Sequence, residues 1–516
     1  MNAEKLKEFD AGSLLEYGEQ SARKLVSAGY FPARHEARRI RSVMRELINT
    51  RAEGSGGAWE WLADNRYLIE REALSAAGDF ARGGSLRAGQ ERPLVCEAAL
   101  AFARHTGGAA PVEYAQAYFE GFQRRNPLSL TELNLLGAAI RAGLVDVLAE
   151  EFGSGSPDVR VAEAAITSLR ELSTADLTSL IESADLAGRI LAQDPSGAYP
   201  LMDEGSRALY RRRLAALAKE HGLSELECAG RVLNLARAHD GEPKRSHVGW
   251  WILSEPLGKH AKTPSGALYA LCAVMLAAAL SAAAGVISGG VWTALLSFLP
   301  SLELSKNALD AILLRTLPPR ILPRMALEGG VPDCGRTVCA VSAILASPED
   351  GEKLARRLEA FLCASRGCGL NLRFALLCDL PEAGSAELDT DAAALEAARR
   401  AIDGLNEKYG GGFYLFIRPR HENRRDGVWT PYERKRGALM SLAAMCSGKD
   451  SELKCVSGDL AWLRGARYIL ALDADTTLLP GAARELIGAM LHPLCRAEID
   501  PRRAAVVAGR GVIHPR

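Results

Sequence analysis

The spacing of apolar and polar residues changes twice along the chain, and each change marks a different kind of structure. Up to about residue 240, apolar side chains recur near every third or fourth position between charged positions. This period predicts amphipathic α-helices. Loops between the helices are predicted at the glycine and proline clusters 54–57, 83–84, 153–157 and 194–200. We therefore predict an all-α domain over residues 1–245.

The second pattern is an uncharged apolar stretch in the middle of the chain. Its first run, Ala267–Ile287, carries no charged residue, and a second run covers Val291–Pro300 after a pair of glycines. A membrane-spanning helix needs roughly 20 such residues, so the first run is long enough and the second must borrow neighbours. We predict a membrane segment over residues 246–325, with spans at about 267–287 and 288–305.

Basic residues flank this segment on both sides. They are Lys244, Arg245, Lys259 and Lys262 before the two runs, and Arg315, Arg320 and Arg324 after them. The positive-inside rule places such flanks in the cytoplasm, which a two-helix hairpin satisfies and a single span does not. The pattern leaves open an alanine-rich helical hairpin buried in a soluble protein, because alanine favours the membrane only weakly.

From Thr337 onward, apolar β-branched runs alternate with helical periods. Strands are predicted at Thr337–Leu345, Leu372–Cys378, Phe413–Ile417 and Arg467–Leu472. Helices are predicted near residues 351–362, 392–409 and 437–446, and after Pro480 and Gly481. This alternation predicts a parallel, doubly wound sheet in a domain over residues 330–516. Ligands of such sheets bind beyond the carboxyl ends of the strands.

Composition narrows the classes of function. Lys and Arg together number 63, as do Asp and Glu, so no global field attracts nucleic acid. The 11 cysteines form no C-x-x-C pair, a pattern typical of reduced cytosolic thiols. The charged N-terminal stretch has no apolar core and predicts no secretion signal. We expect the helical domain to lie in the cytoplasm.

Acidic residues follow two of the predicted strands. Asp379 comes directly after Cys378, and Asp473 and Asp475 form a D-x-D after Leu472. Two carboxylates on one turn can hold a divalent cation against a nucleotide diphosphate. Hard oxygen ligands favour Mg²⁺ or Mn²⁺ over zinc. The spacing leaves open an ordinary solvated turn or helix-capping acids.

A basic segment opens one of the predicted helices. It is the stretch YERKRGAL, Tyr432–Leu439, in which Arg434, Lys435 and Arg436 follow one another. Basic side chains and free backbone N–H groups at a helix N-terminus can bind a diphosphate. The alternative is an exposed basic first turn without a ligand.

These segments together resemble a known family. We find resemblance to the glycosyltransferase family 84 domain of cyclic β-1,2-glucan synthases in NLRFALLCDLPEA, AIDGLNEKYG, YERKRGAL, GDLAWLRGARYILALDADTTLLPGAARELIGAMLHPL and GRGVIHPR. Five upstream segments resemble the N-terminal region of the same family, in the same order: WEWLADNRYLIE, NPLSLTEL, AAITSLRELS, RSHVGWWIL and LPPRILPRMAL. The resemblance therefore covers nearly the whole chain. A more distant similarity is to processive cellulose and hyaluronan synthases. The resemblance implies that residues 330–516 are a Rossmann-like GT-A glycosyltransferase domain, incomplete at its C-terminal end.

The resemblance also implies partners and residue roles. It implies a bacterial glucosyltransferase of the inner (cytoplasmic) membrane, in contact with the lipid bilayer, with its helical and glycosyltransferase domains in the cytoplasm. Glucose would pass from UDP-glucose to a growing β-1,2-glucan by inverting, metal-assisted transfer. Asp379 would contact the uracil or ribose, Lys435 would lie near the nucleotide, and Asp473 would bind both nucleotide and metal. Asp475 would be the metal ligand. Ser342 stands where relatives commonly have proline, a departure that affects backbone shape more than chemistry.

The resemblance also implies what this chain lacks. Family members place a general-base carboxylate and a Q-x-x-R-W motif well after the D-x-D, and neither occurs before Arg516. We therefore expect a fragment that is nearly inert alone, because base catalysis is typically worth about 10² to 10⁴ in rate. The alternative is a non-catalytic, truncated, membrane-associated helical scaffold that binds no nucleotide.

Tyr432 is a further candidate. Cyclic β-1,2-glucan synthases prime themselves, attaching the first glucoses to their own chain. The long polar loop 418–431 is expected at the ligand-binding edge, and Tyr432 ends it three residues before Lys435. We therefore consider Tyr432 as the acceptor of the first sugar. The alternative is a ring that packs against the start of the helix as a hydrophobic staple.

Overall fold

The structure is a computed structural model that describes residues 9–25, 27, 29–50, 57–258, 266–317 and 321–514. The chain divides into two compact units. The first comprises residues 1–197 and 209–258, and the second comprises residues 198–208 and 259–516. The first unit is mainly helical, and the second holds both the apolar helices and the five-stranded sheet.

Helices dominate residues 9–258, as the apolar period predicts. They are α1 (Ala11–Lys24), α2 (Ala33–Asn49), α3 (Gly57–Asp64), α4 (Arg66–Arg82), α5 (Leu94–His105), α6 (Val112–Arg125), α7 (Leu130–Asn134), α8 (Leu136–Gly153), α9 (Val159–Leu172), α10 (Thr178–Ala184), α11 (Leu186–Leu191), α12 (Glu204–His221) and α13 (Glu225–Ala238). The all-α prediction missed one antiparallel pair, β1 (Tyr30–Pro32) with β2 (Ser85–Arg87). Strands of three residues are too short to show an alternating pattern. Most of the predicted loop 54–57 lies outside the described residues.

Caps and buried stripes explain where individual helices form. Helix α9 begins at Asp158, whose side chain accepts from the backbone N–H of Arg160, and it buries Ala162, Ile166 and Leu169 on one face. Helix α7, within the segment NPLSLTEL, begins with a capping box between Ser129 and Glu132. Local sequence therefore sets these helix starts, and burial of the apolar face stabilises them.

Helices α14 (Gly266–Ser288) and α15 (Val291–Thr316) pack as an antiparallel pair. The Tyr269 hydroxyl donates to Asp310 Oδ1 at 2.8 Å, and the Ser281 hydroxyl donates to the Ala294 carbonyl. Small residues recur at every fourth position of α14, at Ala273, Ala277, Ser281 and Gly285. A Cβ added at Gly285 would lie 2.7 Å from the Cβ of Ala294. Small residues of this spacing allow close helix packing, as between membrane helices.

The outward faces of this pair are apolar and exposed. Large exposed side chains include Leu268, Met275, Val286, Ile287, Trp292 and Leu296. Among the described residues, α14 alone is long and apolar enough to cross a membrane, by length and composition only. Of the 18 residues in the most apolar stretch of α14, 17% are buried, whereas the residues of a core helix are mostly buried. Helix α15 contains Pro300, and it carries Glu303, Lys306 and Asp310 from its middle onward. The flanking residues Lys259, Lys262 and Arg320 lie outside the described residues.

The second unit contains a mixed five-stranded sheet. Its C-terminal region has the strands β3 (Thr337–Ile344), β4 (Leu372–Asp379), β5 (Phe413–Arg418), β6 (His421–Asn423), β7 (Val428–Thr430), β8 (Lys454–Ser457), β9 (Tyr468–Asp473), β10 (Glu498–Asp500) and β11 (Ala505–Ala508). The spatial order in the main sheet is β8-β5-β4-β3-β9. Strands β5, β4, β3 and β9 run parallel, which confirms the four predicted strands, and β8 is antiparallel to β5. Strand β8 and the pairs β6–β7 and β10–β11 were not predicted, because three or four residues carry too little pattern.

Helices cover both faces of the sheet. They are α16 (Pro348–Ala364), α17 (Asp389–Tyr409), α18 (Arg434–Cys446), α19 (Leu460–Leu463) and α20 (Ala482–Leu491), and four of the five were predicted. Alternate residues of β4 serve the two cores: Phe374 and Leu376 pack with α16 and α17, whereas Ala375 and Leu377 pack with α18. This burial on both faces explains why β4 is continuously apolar from Phe374 to Cys378.

The order of the strands reverses at β3. From β3 the chain adds β4 and β5 on one side, then returns to place β9 on the other side. The crevice between the carboxyl ends of β3 and β9 is therefore the topological switch point of the sheet, where ligands of open α/β sheets bind.

Candidate functional site

The carboxyl ends of the parallel strands bring the predicted acidic residues to one edge. Asp379 is the last residue of β4, and Asp473 is the last residue of β9. Ser342 of β3 lies between these strands, with Asp473 as its register partner on one side and Leu377 on the other. The hydroxyl of Ser342 is buried and has no hydrogen-bond partner among the described residues. Ser342 therefore places an unsatisfied polar atom at the switch point.

The D-x-D motif lies on an exposed turn. Asp473 and Asp475 are both exposed, and the Thr476 N–H donates to the Asp473 carbonyl at 3.0 Å. The turn is held from α16, where Arg357 Nη2 donates to the Thr476 carbonyl at 2.9 Å. Both carboxylates are therefore open to a ligand while the backbone that carries them is fixed.

Lys435 lies directly against this turn. Its ammonium group donates to Asp473 Oδ1 and forms an ion pair with it. The two side chains are 48% and 56% exposed, so the pair is solvated and contributes little to stability. The structure thus brings together two site residues that the sequence predicted separately, and leaves both accessible.

Asp379 has a different environment. Its carboxylate is buried and accepts two hydrogen bonds from Arg418, from Nε at 2.8 Å and from Nη2 at 2.7 Å. Arg418 is the last residue of β5 and is 1% exposed. Such a fork of parallel N–H···O bonds is the strongest geometry of a carboxylate–guanidinium pair. The structure therefore gives Asp379 a protein partner at the position where the resemblance implies a nucleotide.

Arg418 also holds the backbone in front of Lys435. Its Nη1 donates to the Tyr432 carbonyl at 2.9 Å, and its Nη2 donates to the Arg434 carbonyl at 2.7 Å. Between these carbonyls, Glu433 has φ +49° and Arg434 has φ +31°. Left-handed backbone at residues other than glycine costs on the order of 1–3 kcal/mol each and needs support from its surroundings. The two hydrogen bonds from Arg418 to these carbonyls supply that support, and Asp379 fixes the guanidinium group that donates them.

Gly437 leaves room for this arrangement. A Cβ added at Gly437 would lie 2.3 Å from the Tyr432 carbonyl oxygen and 2.5 Å from Arg418 Nη1. Real Cβ atoms do not approach other atoms so closely, so the glycine of the KRGAL segment is required by the contact between Arg418 and the turn.

Tyr432 projects into solvent. Tyr432 is 69% exposed, so its ring is not packed as a hydrophobic staple against α18. The segment 418–431, predicted as a loop, contains short strands. Arg418 belongs to β5, and β6 and β7 pair within the loop.

A second buried arginine fixes the loop that follows β4. Arg420 Nε donates to the Pro381 carbonyl at 2.6 Å, and Arg420 Nη2 donates to Asp391 Oδ1 at 3.0 Å. This guanidinium group holds the pKa of the Asp391 carboxyl below its ordinary value of 3.8. Ala383 and Trp429 also exchange backbone hydrogen bonds at 3.0 and 2.8 Å, which ties the loop to β7.

The donor set at the edge fits a nucleotide-bound cation. The described residues contain no group of three or more His, Cys, Asp and Glu side chains that could hold a metal ion by themselves. Mg²⁺ usually binds one or two carboxylates together with substrate phosphates, and Asp473 and Asp475 provide two. Beside them, an open depression of about 540 Å³ is lined by Lys435, Arg436, Leu439, Met440 and Ala443.

Arg418, Arg420 and Gly437 were missed by sequence reasoning. An arginine directly after a fully apolar strand is a signal that could have indicated Arg418, because a charge at that position must be paired or exposed. Arg420 and Gly437 carry no such local signal, since their roles depend on the neighbouring loops.

The fold and the site define an α/β domain whose switch point combines two carboxylates with a lysine. No protein-family model matches the chain. The chain is 24% identical, over an alignment of 646 residues, to the cyclic beta-(1,2)-glucan synthase NdvB of Rhizobium meliloti (strain 1021). The alignment covers 98% of this chain and 23% of that protein, so the chain spans about a quarter of its length. This similarity supports a distant relationship to the cyclic β-1,2-glucan synthases and a role related to glycosyl transfer.

Proposed function

We propose that this chain is the donor-binding part of a processive, membrane-bound glucosyltransferase that uses UDP-glucose to extend a β-1,2-glucan. The observation that supports this function is the contact of Lys435 with Asp473, beside Asp475, at the switch point of the sheet. Neither residue is buried, and they lie on different elements, so the contact is not part of a hydrophobic core.

Opposite charges at one exposed place suit a ligand that carries both a metal and phosphates. Asp473 and Asp475 would hold Mg²⁺ or Mn²⁺ together with diphosphate oxygens, and the ion would neutralise charge on the departing UDP. Lys435 would exchange its contact with Asp473 for a phosphate oxygen, as a flexible point charge can.

Asp379 retains a place in this proposal. A carboxylate offers about four lone-pair sites, and Arg418 uses two of them. The remaining sites of Asp379 would meet the uridine from the neighbouring strand. The acceptor hydroxyl must also lose a proton, and we assign no residue of this chain to that step. Binding of the donor can therefore be tested separately from turnover.

The first prediction concerns the paired carboxylates. Replacing Asp473 and Asp475 together by alanine should remove the Mn²⁺-dependent part of UDP binding, because both metal ligands are lost. Isothermal titration of the full chain with UDP, with and without Mn²⁺, measures this. The matched control replaces Glu396 and Asp403, two half-exposed acids of α17, by alanine. That control should bind as the parent does.

The titration separates the two hypotheses. Equal Mn²⁺-dependent affinity in the parent and in the Asp473 and Asp475 double variant would refute the metal assignment. A parent chain that binds no UDP would favour the non-catalytic scaffold instead.

We also propose that α14 and α15 form a hairpin in the cytoplasmic membrane. The support is the exposed apolar surface of both helices, the small-residue stripe between them and the basic residues on both flanks. In this arrangement the helical unit and the sheet lie in the cytoplasm, where UDP-glucose is available.

A further inference from the structure

The Asp379–Arg418 pair is buried, and nearly all of the hydrogen bonds of Arg418 are made within the protein. Arg418 is 1% exposed, and four of its hydrogen bonds go to protein acceptors: two to Asp379 and one each to the carbonyls of Tyr432 and Arg434. A guanidinium group has five N–H donors in a rigid fork, so nearly all of its donors are used inside the protein. Arg418 therefore has little left to offer a substrate.

The acceptors of Arg418 identify what it holds. Asp379, at the end of β4, accepts two hydrogen bonds from the guanidinium group. The same group donates to the carbonyls of Tyr432 and Arg434 in the turn before α18. The turn contains consecutive left-handed residues, Glu433 and Arg434, and Lys435 is the next residue. A change at Arg418 would release this turn, and the backbone of Lys435 would then no longer be held in place.

We propose that Arg418 is a positioning residue: anchored by Asp379, it holds the turn 432–434 in the conformation that brings the Lys435 ammonium group to Asp473. The significance of this position for donor binding rests on the proposed function. The positioning itself is a property of the protein without nucleotide. Asp379 is thereby the anchor of Arg418, in addition to any contact with the uridine.

Lysine cannot replace Arg418 in this role. Its ammonium group places three donors on one atom, whereas the acceptors of Arg418 lie on opposite sides of a planar fork. Gly437 offers an independent route to the same effect, because a Cβ there would collide with both the Tyr432 carbonyl and Arg418 Nη1. Two chemically different changes should therefore have one result.

A zero-length carbodiimide cross-link tests the proposal on the full chain without nucleotide. The reagent joins a lysine to a carboxylate only where the two are in contact, and peptide mass spectrometry reports the yield. The parent should give a Lys435–Asp473 cross-link. Arg418→Met, Arg418→Lys and Gly437→Ala should each lower its yield about tenfold, as a shift of ~1.4 kcal/mol would.

An internal reference shows whether the fold survives. Lys408 Nζ lies 2.7 Å from Glu359 Oε1 on α17 and α16, in the same unit and away from the turn. Its cross-link should keep its yield in all three variants. Arg400→Met, which removes an exposed arginine of α17, is the matched control and should leave both yields unchanged.

Two results would overturn the proposal. One is a parent chain without the Lys435–Asp473 cross-link, and the other is a Lys435–Asp473 yield in Gly437→Ala or Arg418→Lys equal to that of the parent. If Arg418→Met also loses the Lys408–Glu359 cross-link, that variant has unfolded, and the other two decide the question.

Addition of UDP with Mn²⁺ then separates this proposal from the proposed function. Nucleotide should protect Lys435 from cross-linking in the parent, because phosphate replaces Asp473 as its partner. Loss of the cross-link in the variants, without protection by nucleotide in the parent, would uphold the positioning role of Arg418 and refute donor binding.

Discussion

At the residue scale, burial separates carboxylates that look alike in the sequence. Asp379 and Asp473 both end an apolar strand, yet Asp379 is buried against Arg418 and Asp473 is exposed against Lys435. A buried pair is sensitive to the loss of one partner, because the other charge is left without compensation, whereas an exposed pair exchanges partners at little cost. The first arrangement suits a structural anchor, and the second suits a ligand site.

Tyr432 gives a prediction at the same scale. The phenol is exposed, and Tyr432 is the first residue of the turn 432–434 that precedes Lys435. If it accepts the first sugar, a synthase containing this segment should gain hexose mass on the Tyr432 peptide after incubation with UDP-glucose. The Tyr432→Phe protein should fail to prime. Its backbone carbonyl still accepts from Arg418, so the turn should be unaffected. Hexose found solely on another peptide, or normal priming by Tyr432→Phe, would reject this role.

At the scale of elements, the loops on either side of β5 are fixed by buried arginines and not by their own sequence. Arg418 holds the turn before α18, and Arg420 holds the loop between β4 and α17. The side chain of Arg420 is fully buried, and Asp391 supplies its counter-charge. The ion pair of Arg420 with Asp391 therefore helps to hold the loop that borders the candidate site, together with the backbone hydrogen bonds between Ala383 and Trp429.

Replacing Asp391 by Asn should lower the free energy of unfolding by on the order of 3 kcal/mol, because the Arg420 charge stays buried without a partner. Asparagine retains an oxygen for the Leu388 N–H, which now donates to Asp391 Oδ2 at 2.9 Å. Urea unfolding measures the loss. Asp389→Asn, at an exposed acid of the same first turn, should cost less than about 1 kcal/mol.

The dependence on pH has a definite sign. The folded-state pKa of Asp391 is depressed below 3.8, so its contribution is present above pH 3.8 and is lost as the pH falls through the lower folded value. The difference between the parent and Asp391→Asn should therefore shrink in acid. A difference that stays constant down to the acid transition would show that the pair does not supply the stability.

At the scale of the whole molecule, the two apolar helices belong to the second unit, together with the sheet. Helix α14 is uncharged and mostly exposed. A continuous apolar surface that is exposed to water marks an interaction site or a risk of aggregation. A bilayer would cover it, and the small-residue stripe would keep the two helices together.

The full chain should accordingly sediment with bacterial membranes and resist extraction by alkaline carbonate. Deleting residues 267–300 should move the protein to the soluble fraction, with the helical unit still folded by circular dichroism. Substituting Glu303 and Lys306 by alanine is the matched control, since it leaves the apolar run intact and should leave the protein in the membrane. Full solubility of the parent without detergent would instead favour a hairpin covered by protein.

Local patterns were enough for the long elements around the sheet of this protein. The helices α16 and α17 and the strands β3, β4, β5 and β9 follow from apolar periods, because the geometry of each element sets which neighbouring positions share a face. The same patterns placed Asp379, Asp473 and Asp475 at strand ends. A strand of three or four residues, such as β6 or β8, offers no period to detect.

The contacts within the site depend on the packing of distant segments. Lys435 and Asp473 are 38 residues apart, and Asp379 and Arg418 are 39 residues apart. Their meeting follows from the order β5-β4-β3-β9, which brings the ends of separate strands to one edge. The burial of Arg418, the exposure of Tyr432 and the need for glycine at 437 follow from that arrangement, because each is a relation between segments and not a property of any one of them.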